Sequence, residues 1–331
     1  MIIYDDKPVP GLRDFGIMIP LAPDRASRIL ANLRPDLPSG IFHAGFPDVI
    51  GPADLRRVHS PAMVDELFKD PAEAMIRTYE LRDADGRPHR YEPDRAVRPP
   101  ANLVQAAMRT CSGTLFTAQT ALDKGFAYFL GGGGHHAGKE SGAGFCMLND
   151  TVIALRRLQH EGHVARAWII DTDAHKGDGT IALTRGDASL ATLSIHMAAG
   201  WPLVDEYTGG DPDHPSLIPA DIDLPVARDG GATYLPKLRA GLEELNRRWP
   251  APDLVMVIGG TDPWEGDELE SSADLALTRR QMLDRDLLVR NFLQNAGLPQ
   301  AWVMAGGYGE EAWQIHAAFL RRVLGSPGAV N

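Results

Sequence analysis

The chain has 331 residues, 44% of them apolar and 23% charged, which is ordinary globular composition. A net charge of −11 argues against general binding of nucleic acid or anionic membranes and leaves cationic partners such as lysine side chains or polyamines open. No apolar run approaches the ~18 residues of a membrane span, the first residues lack the features of a secretory leader, and Cys111 and Cys146 are too few for a disulfide framework or a thiolate metal site, so a reducing cytoplasm is expected.

In chain order, the Pro- and Gly-rich stretch 86–100 reads as a long surface loop. Phe126 to Leu130 is an apolar run of strand length. Thr151 to Leu158 has the spacing of an amphipathic helix. Ala167 to Ile170 and Leu190 to Ile195 are further strand-like runs, and 209–231 is a second Pro/Gly-rich loop. Leu235 to Arg248 and Leu275 to Leu293 read as helices around the strand-like run Leu254 to Ile258. Ala301 to Met304 is the last run. This alternation predicts an α/β fold with one mostly parallel sheet covered by helices on both faces. Apolar periodic segments resume directly after each loop, and no repeat or low-complexity tract occurs. A single domain over residues 1–331 is therefore expected, with oligomerisation left open.

Each strand-like run leads into chemistry. Phe126–Leu130 is followed by four glycines and His135-His136, and Ala167–Ile170 by Asp171-Thr172-Asp173-Ala174-His175-Lys176-Gly177-Asp178. Leu190–Ile195 contains Ser194 and meets His196. Leu254–Ile258 leads to Gly260-Thr261-Asp262, and Ala301–Met304 to Gly306-Gly307-Tyr308. Open α/β sheets bind ligands beyond the carboxyl ends of their strands, so five such ends predict one assembled active site. In an extended segment, residues i and i+2 point the same way. Asp171, Asp173 and His175 therefore converge. Asp173, His175 and Asp262 would hold a divalent metal with an open position. His135 and His136 offer acid/base groups suited to neutral pH. Asp171 and Asp178 remain to fix the histidine tautomers, and Tyr308 can donate to a developing oxyanion. These groups together predict metal-assisted hydrolysis of an amide.

The stretches Gly133-Gly134-His135-His136-Ala137, Ser141 to Asp150, Asp171 to Gly179, Gly260-Thr261-Asp262-Pro263 and Gly306-Gly307-Tyr308 resemble the zinc-dependent histone deacetylase and acetylpolyamine amidohydrolase family. The likeness runs in order from about residue 20 to 310; His59-Ser60-Pro61 and Arg25-Ala26-Ser27 match as well. The resemblance implies the arginase/deacetylase fold, with zinc on Asp173, His175 and Asp262. It implies that a zinc-bound water attacks the acyl amide of a lysine side chain, or of a small acylated amine such as an acetylpolyamine. His136 would act as general base and acid backed by Asp178, with His135 beside Asp171 contributing electrostatically. Tyr308 would polarise the acyl oxygen. A structural potassium ion is implied at Asp171 and Ser194, with backbone oxygens of Asp173, His175 and Ile195. Gly144 and Phe145 would line the substrate tunnel, with Trp201 and Gly306 also on the substrate side.

Some positions depart from the family pattern. Lys176 stands where many members have histidine, Gly134 replaces a bulkier residue, and the segment from His196 to Pro202 differs from the usual loop, with Trp201 as its candidate tunnel aromatic. Asp94 is the candidate acidic residue at the rim. A binuclear ureohydrolase on the same fold is excluded, because Gly177 and Gly260 occupy positions where it needs carboxylates. A catalytically silent binding protein would have lost His136 or Tyr308, and both are present.

Overall fold

The computed structural model describes residues 1–325 apart from Val9 and Ala84. Among them, eight strands form one sheet: β1 (Ile2–Tyr4), β2 (Phe42–Ala44), β3 (Phe126–Phe129), β4 (Ala167–Asp171), β5 (Leu190–Met197), β6 (Ile222–Val226), β7 (Leu254–Ile258) and β8 (Gln300–Val303). Their order is β2-β1-β3-β8-β7-β4-β5-β6, and every neighbouring pair is parallel, so the sheet is wholly rather than mostly parallel.

The central strands are buried at every position, which is why they read as unbroken apolar runs. Alternate side chains feed two cores. Ile169, Met256, Ile258 and Val303 face one core, under helices Ala101–Lys124 and Asp150–His160. Trp168, Ile170, Val255, Val257 and Trp302 face the other, under helices Arg25–Leu33, Gly231–Arg248, Arg279–Asn295 and Trp313–Leu324.

Several elements differ from the sequence expectation. β1 and β2 are three residues each, too short to carry a period. β6 lies inside the stretch expected to be a loop; it carries Pro225 and forms the sheet edge, where a missing ladder donor is tolerated. The 24-residue helix Ala101–Lys124 was not among the expected elements. Helix Arg279–Asn295 begins after Leu275, because the reciprocal Thr278 and Gln281 capping bonds fix its start. Leu275 and Leu277 instead plug the core from the preceding loop.

The connectivity positions the site. β3 and β4 follow one another in the chain but are separated in the sheet by β8 and β7. With all strands parallel, the carboxyl ends of these four lie side by side on one edge, where the strand order changes direction.

Candidate metal and active site

β4 ends at Asp171, and its extension turns Asp173 and His175 toward the segment that leaves β7. His175 Nδ1 lies 3.0 Å from Asp262 Oδ2 and 3.3 Å from Asp173 Oδ1. One atom from each of the three buried residues falls within 4.8 Å of the others. The backbone locks both carboxylates: Asp262 Oδ1 accepts from Ala174 N–H at 3.0 Å and Asp173 Oδ2 from Gly306 N–H at 3.1 Å. A side chain at Gly260 would intrude, since its Cβ would stand 2.1 Å from Asp173 Oδ2. On the far side of the imidazole, His175 Nε2 is 3.2 Å from Ser271 Oγ, a partner that fixes ring orientation.

The electrostatics of this cluster suit a cation. Burial and the neighbouring Asp173 push Asp262 up to about 7. Asp173 goes the other way: burial opposes its charge, but His135 and His175 hold it well below the ordinary carboxylate range. His175 rises to about 10, because hydrogen bonds to Asp173 and Asp262 outweigh its burial. Two buried carboxylates and an imidazole aimed at one point form the donor set of a divalent ion, and the residues fit that group.

The loop after β3 brings in the histidines. His135 Nδ1 is 2.7 Å from Asp171 Oδ2, and His136 Nδ1 is 2.7 Å from Asp178 Oδ1. Their ring centroids are 3.9 Å apart. Burial disfavours charge on both, but Asp171 and Asp173 raise His135 to about 9, whereas burial and repulsion from His135 lower His136 to about 4. The loop itself hangs on Asp150, whose carboxylate accepts from Gly133 N–H at 3.1 Å and Gly134 N–H at 2.6 Å.

Tyr308 follows β8 and meets Phe145 edge-on, with ring centroids 6.1 Å apart. Its N–H donates to Asp267 Oδ2 at 2.7 Å, and Arg25 Nη1 donates to the Gly307 carbonyl at 2.9 Å. Phe145 also stacks on Tyr79. Trp201 meets His136 edge-to-face at 4.5 Å and His175 at 5.8 Å. Gly144, at φ +52°, leaves room for it, since a Cβ there would stand 2.2 Å from Trp201 Cη2. A cavity of about 340 Å³ opens behind His136, His175, Gly306 and Tyr308 and is lined by Leu21, Phe129, Met147 and Met304.

Other residues from the sequence reading lie around this centre. Ser194 is the register partner of Asp171 on β5, with its Oγ 3.1 Å from His196 Nδ1; Ile195 follows it on the strand. Lys176 is buried, with its ammonium 3.9 Å from Asp223. His59 bonds the Gly138 carbonyl and the Asn149 N–H, and Ser60 caps the next helix. Asp94 is exposed on a short 3-10 turn. Glu80 has φ +52°, and its buried Oε1 has no partner among the described residues. Burial raises its pKa, while Arg90, His175 and the Gly144 N–H favour its ionised form. Asp267, Ser271 and Glu80 escaped the sequence reading because each sits in a segment without period or motif.

A parallel sheet of this order, carrying paired aspartate-backed histidines beside an Asp-His-Asp cluster, is the arrangement of the arginase/deacetylase superfamily. The histone deacetylase domain profile matches residues 19–323, and the chain belongs to that family. An uncharacterized protein of Picosynechococcus sp. is 36% identical over 224 residues, 68% of this chain and 69% of that protein. Histone deacetylase 2 of Arabidopsis thaliana is 29% identical over 214 residues, 62% of this chain and 50% of its own length. The fold is also that of the crystal structure of an acetylpolyamine aminohydrolase from Burkholderia pseudomallei, with TM-score 0.69, 22% identity, and coverage of 97% of this chain and 98% of that one. Among the described residues no helix is long and apolar enough to cross a membrane.

Proposed function

We propose that this chain is a single-domain, metal-dependent amide hydrolase that removes acyl groups from lysine side chains. The observation that carries the reading is the convergence of Asp173, His175 and Asp262 beside two histidines, each tied to its own buried aspartate at 2.7 Å. Asp173, His175 and Asp262 would hold the ion, with zinc the metal proposed from the donor set. When bound, it polarises the acyl carbonyl and lowers the pKa of water.

The remaining chemistry belongs to the chain. His136 gives its Nδ1–H to Asp178, which leaves Nε2 free to take a proton from the attacking water and return it to the departing amine. His135, held toward the imidazolium by Asp171, supplies positive charge. The Tyr308 hydroxyl donates to the acyl oxygen as it becomes an oxyanion, from a turn fixed by Asp267 and Arg25. Phe145 and Trp201 flank the approach, with Gly144 giving room for Trp201 and Gly306 for the Asp173 and Asp262 carboxylates. A structural potassium ion at Asp171 and Ser194 belongs to the same reading.

One observation favours a second substrate class, small acylated amines such as acetylpolyamines. A buried carboxylate oxygen with no partner among the described residues, as on Glu80, is costly until a donor or cation meets it. Turnover of an acyl-lysine peptide and of an acetylated polyamine, measured side by side with a chelator control, separates the two. Chelator-sensitive preference for the peptide supports the protein substrate. Preference for the polyamine, lost in Glu80→Gln, supports the small amine. No turnover of either by metal-loaded protein refutes both.

A further inference from the structure

Helix Arg279–Asn295 carries a charge that the chemistry above does not use. Arg285 is 0% exposed. Its Nη1 donates to the Thr172 carbonyl at 3.0 Å and to the Gly260 carbonyl at 2.8 Å, and its Nε donates to Asp286 Oδ1 at 2.8 Å. Burying a guanidinium is costly, and a methionine would fill much of the same volume without that cost. What the cation bonds to therefore identifies its use.

Thr172 immediately precedes Asp173, and Gly260 stands two residues before Asp262. They leave neighbouring strands. Asp171 and Ile258 are the last register partners of β4 and β7, and the ladder closes with Thr172 N–H to the Ile258 carbonyl at 3.0 Å. Beyond that rung two carboxylates must still be held at a fixed separation. Two carbonyls cannot bond each other, but a planar cation with several donors can bond both. The Tyr234 hydroxyl, 3.5 Å from the same Thr172 carbonyl, adds a weaker tie.

We propose that Arg285 is a positioning residue: by bridging the Thr172 and Gly260 carbonyls it sets the spacing of Asp173 and Asp262, and with it the affinity and geometry of the divalent-metal site. The inference rests on the reading of Asp173, His175 and Asp262 as ligands. It makes a helix of the far core part of the metal centre, through backbone rather than through any side-chain ligand.

The test is Co²⁺ binding to the full chain stripped of metal, read by visible d–d absorption and by chelator competition. Arg285→Met is expected to weaken Co²⁺ binding ~10-fold or more, the usual cost of losing a group that orients ligands, and to change the spectrum. Arg285→Lys keeps the buried charge without the fork, so it is expected to fall between wild type and Arg285→Met; it stands in if the methionine variant does not fold. Leu245→Ala, a core deletion in helix Gly231–Arg248, should lower the melting temperature and leave Co²⁺ binding unchanged. Wild-type affinity and spectrum in either Arg285 variant would overturn the proposal. So would an equal loss in Leu245→Ala, because stability alone would then explain the effect. Failure of the wild type to take up Co²⁺ would overturn the ligand assignment itself, a result distinct from any effect of Arg285.

Discussion

Asp150→Asn separates the two halves of the site. The Asp150 carboxylate accepts from Gly133 N–H, from Gly134 N–H and from the Thr114 hydroxyl, and it lies fully inside the protein. An asparagine can keep the Gly134 bond through its oxygen, and the Thr114 hydroxyl can turn to accept from the new NH₂. The Gly133 N–H, shared between both carboxylate oxygens at 3.1 Å, keeps the oxygen that Gly134 bonds and loses the other to an NH₂ group. Summing lost charge-assisted bonds at about 1.5–3 kcal/mol each would suggest several kcal/mol. Burial, however, raises the Asp150 pKa despite its partners, so the charged form already carries a desolvation cost that asparagine avoids. The net destabilisation is therefore about 1–2 kcal/mol, from the lost charge and half of one bifurcated bond. The protein should stay folded while the loop bearing His135 and His136 shifts. A displacement approaching 1 Å at reacting groups costs on the order of 100-fold in rate. Asp173, His175 and Asp262 stand on the segments that leave β4 and β7 and do not bond Asp150, so metal affinity should remain within about 2-fold, a change of only ~0.4 kcal/mol. Urea unfolding, chelator competition and steady-state turnover measure the three quantities. Wild-type turnover, or loss of metal together with turnover, would refute the reasoning.

Two further expectations follow from the same geometry. His136→Ala and Tyr308→Phe should each keep fold and metal and lose ~100-fold or more in kcat; near wild-type turnover in either removes its assigned role. Stability should also fall in acid through His59. Buried neutral between Gly138 and Asn149, its pKa drops from 6.5 to about 4. Between those values the unfolded chain holds a proton that the folded one refuses. The contribution is therefore complete above pH 6.5 and lost as pH falls toward 4, by about 3 kcal/mol in all. His59→Gln, which can repeat both bonds, should flatten the pH dependence of urea unfolding over that window, and an unchanged slope would exclude His59 as its source. His196, lowered to about 4 by burial, leaves a residual slope of the same sign.

What the sequence made legible follows from burial on both faces. β4 and β7 are apolar at nearly every position because they touch helices above and below, and the Asp171-Asp173-His175 alternation is a strand period continuing past the strand. The edges were opaque for the opposite reason. Three residues of β1 hold no period, and Pro225 disguises β6 as loop. Within the site, residues carried by motifs came together as strand ends. Glu80, Asp267, Ser271 and Arg285 did not announce themselves, because their positions depend on which helix or turn tertiary packing brings over the strand ends. A lone arginine in an amphipathic helix reads as a surface charge until the helix is known to pack with that face inward.

The strand order also governs assembly during synthesis. A ribosome that has released β4 and β5 has delivered both histidines of the dyad and two of the three proposed ligands, yet β3 and β4 still flank a gap two strands wide. Only insertion of β7 and then β8 closes it and brings Asp262 and Tyr308 into place. The nascent chain thus carries unpaired inner strand edges through most of its translation. All three proposed ligands come together only once β7 has paired with β4, and Tyr308 only once β8 follows, which links metal capture to the late stages of folding.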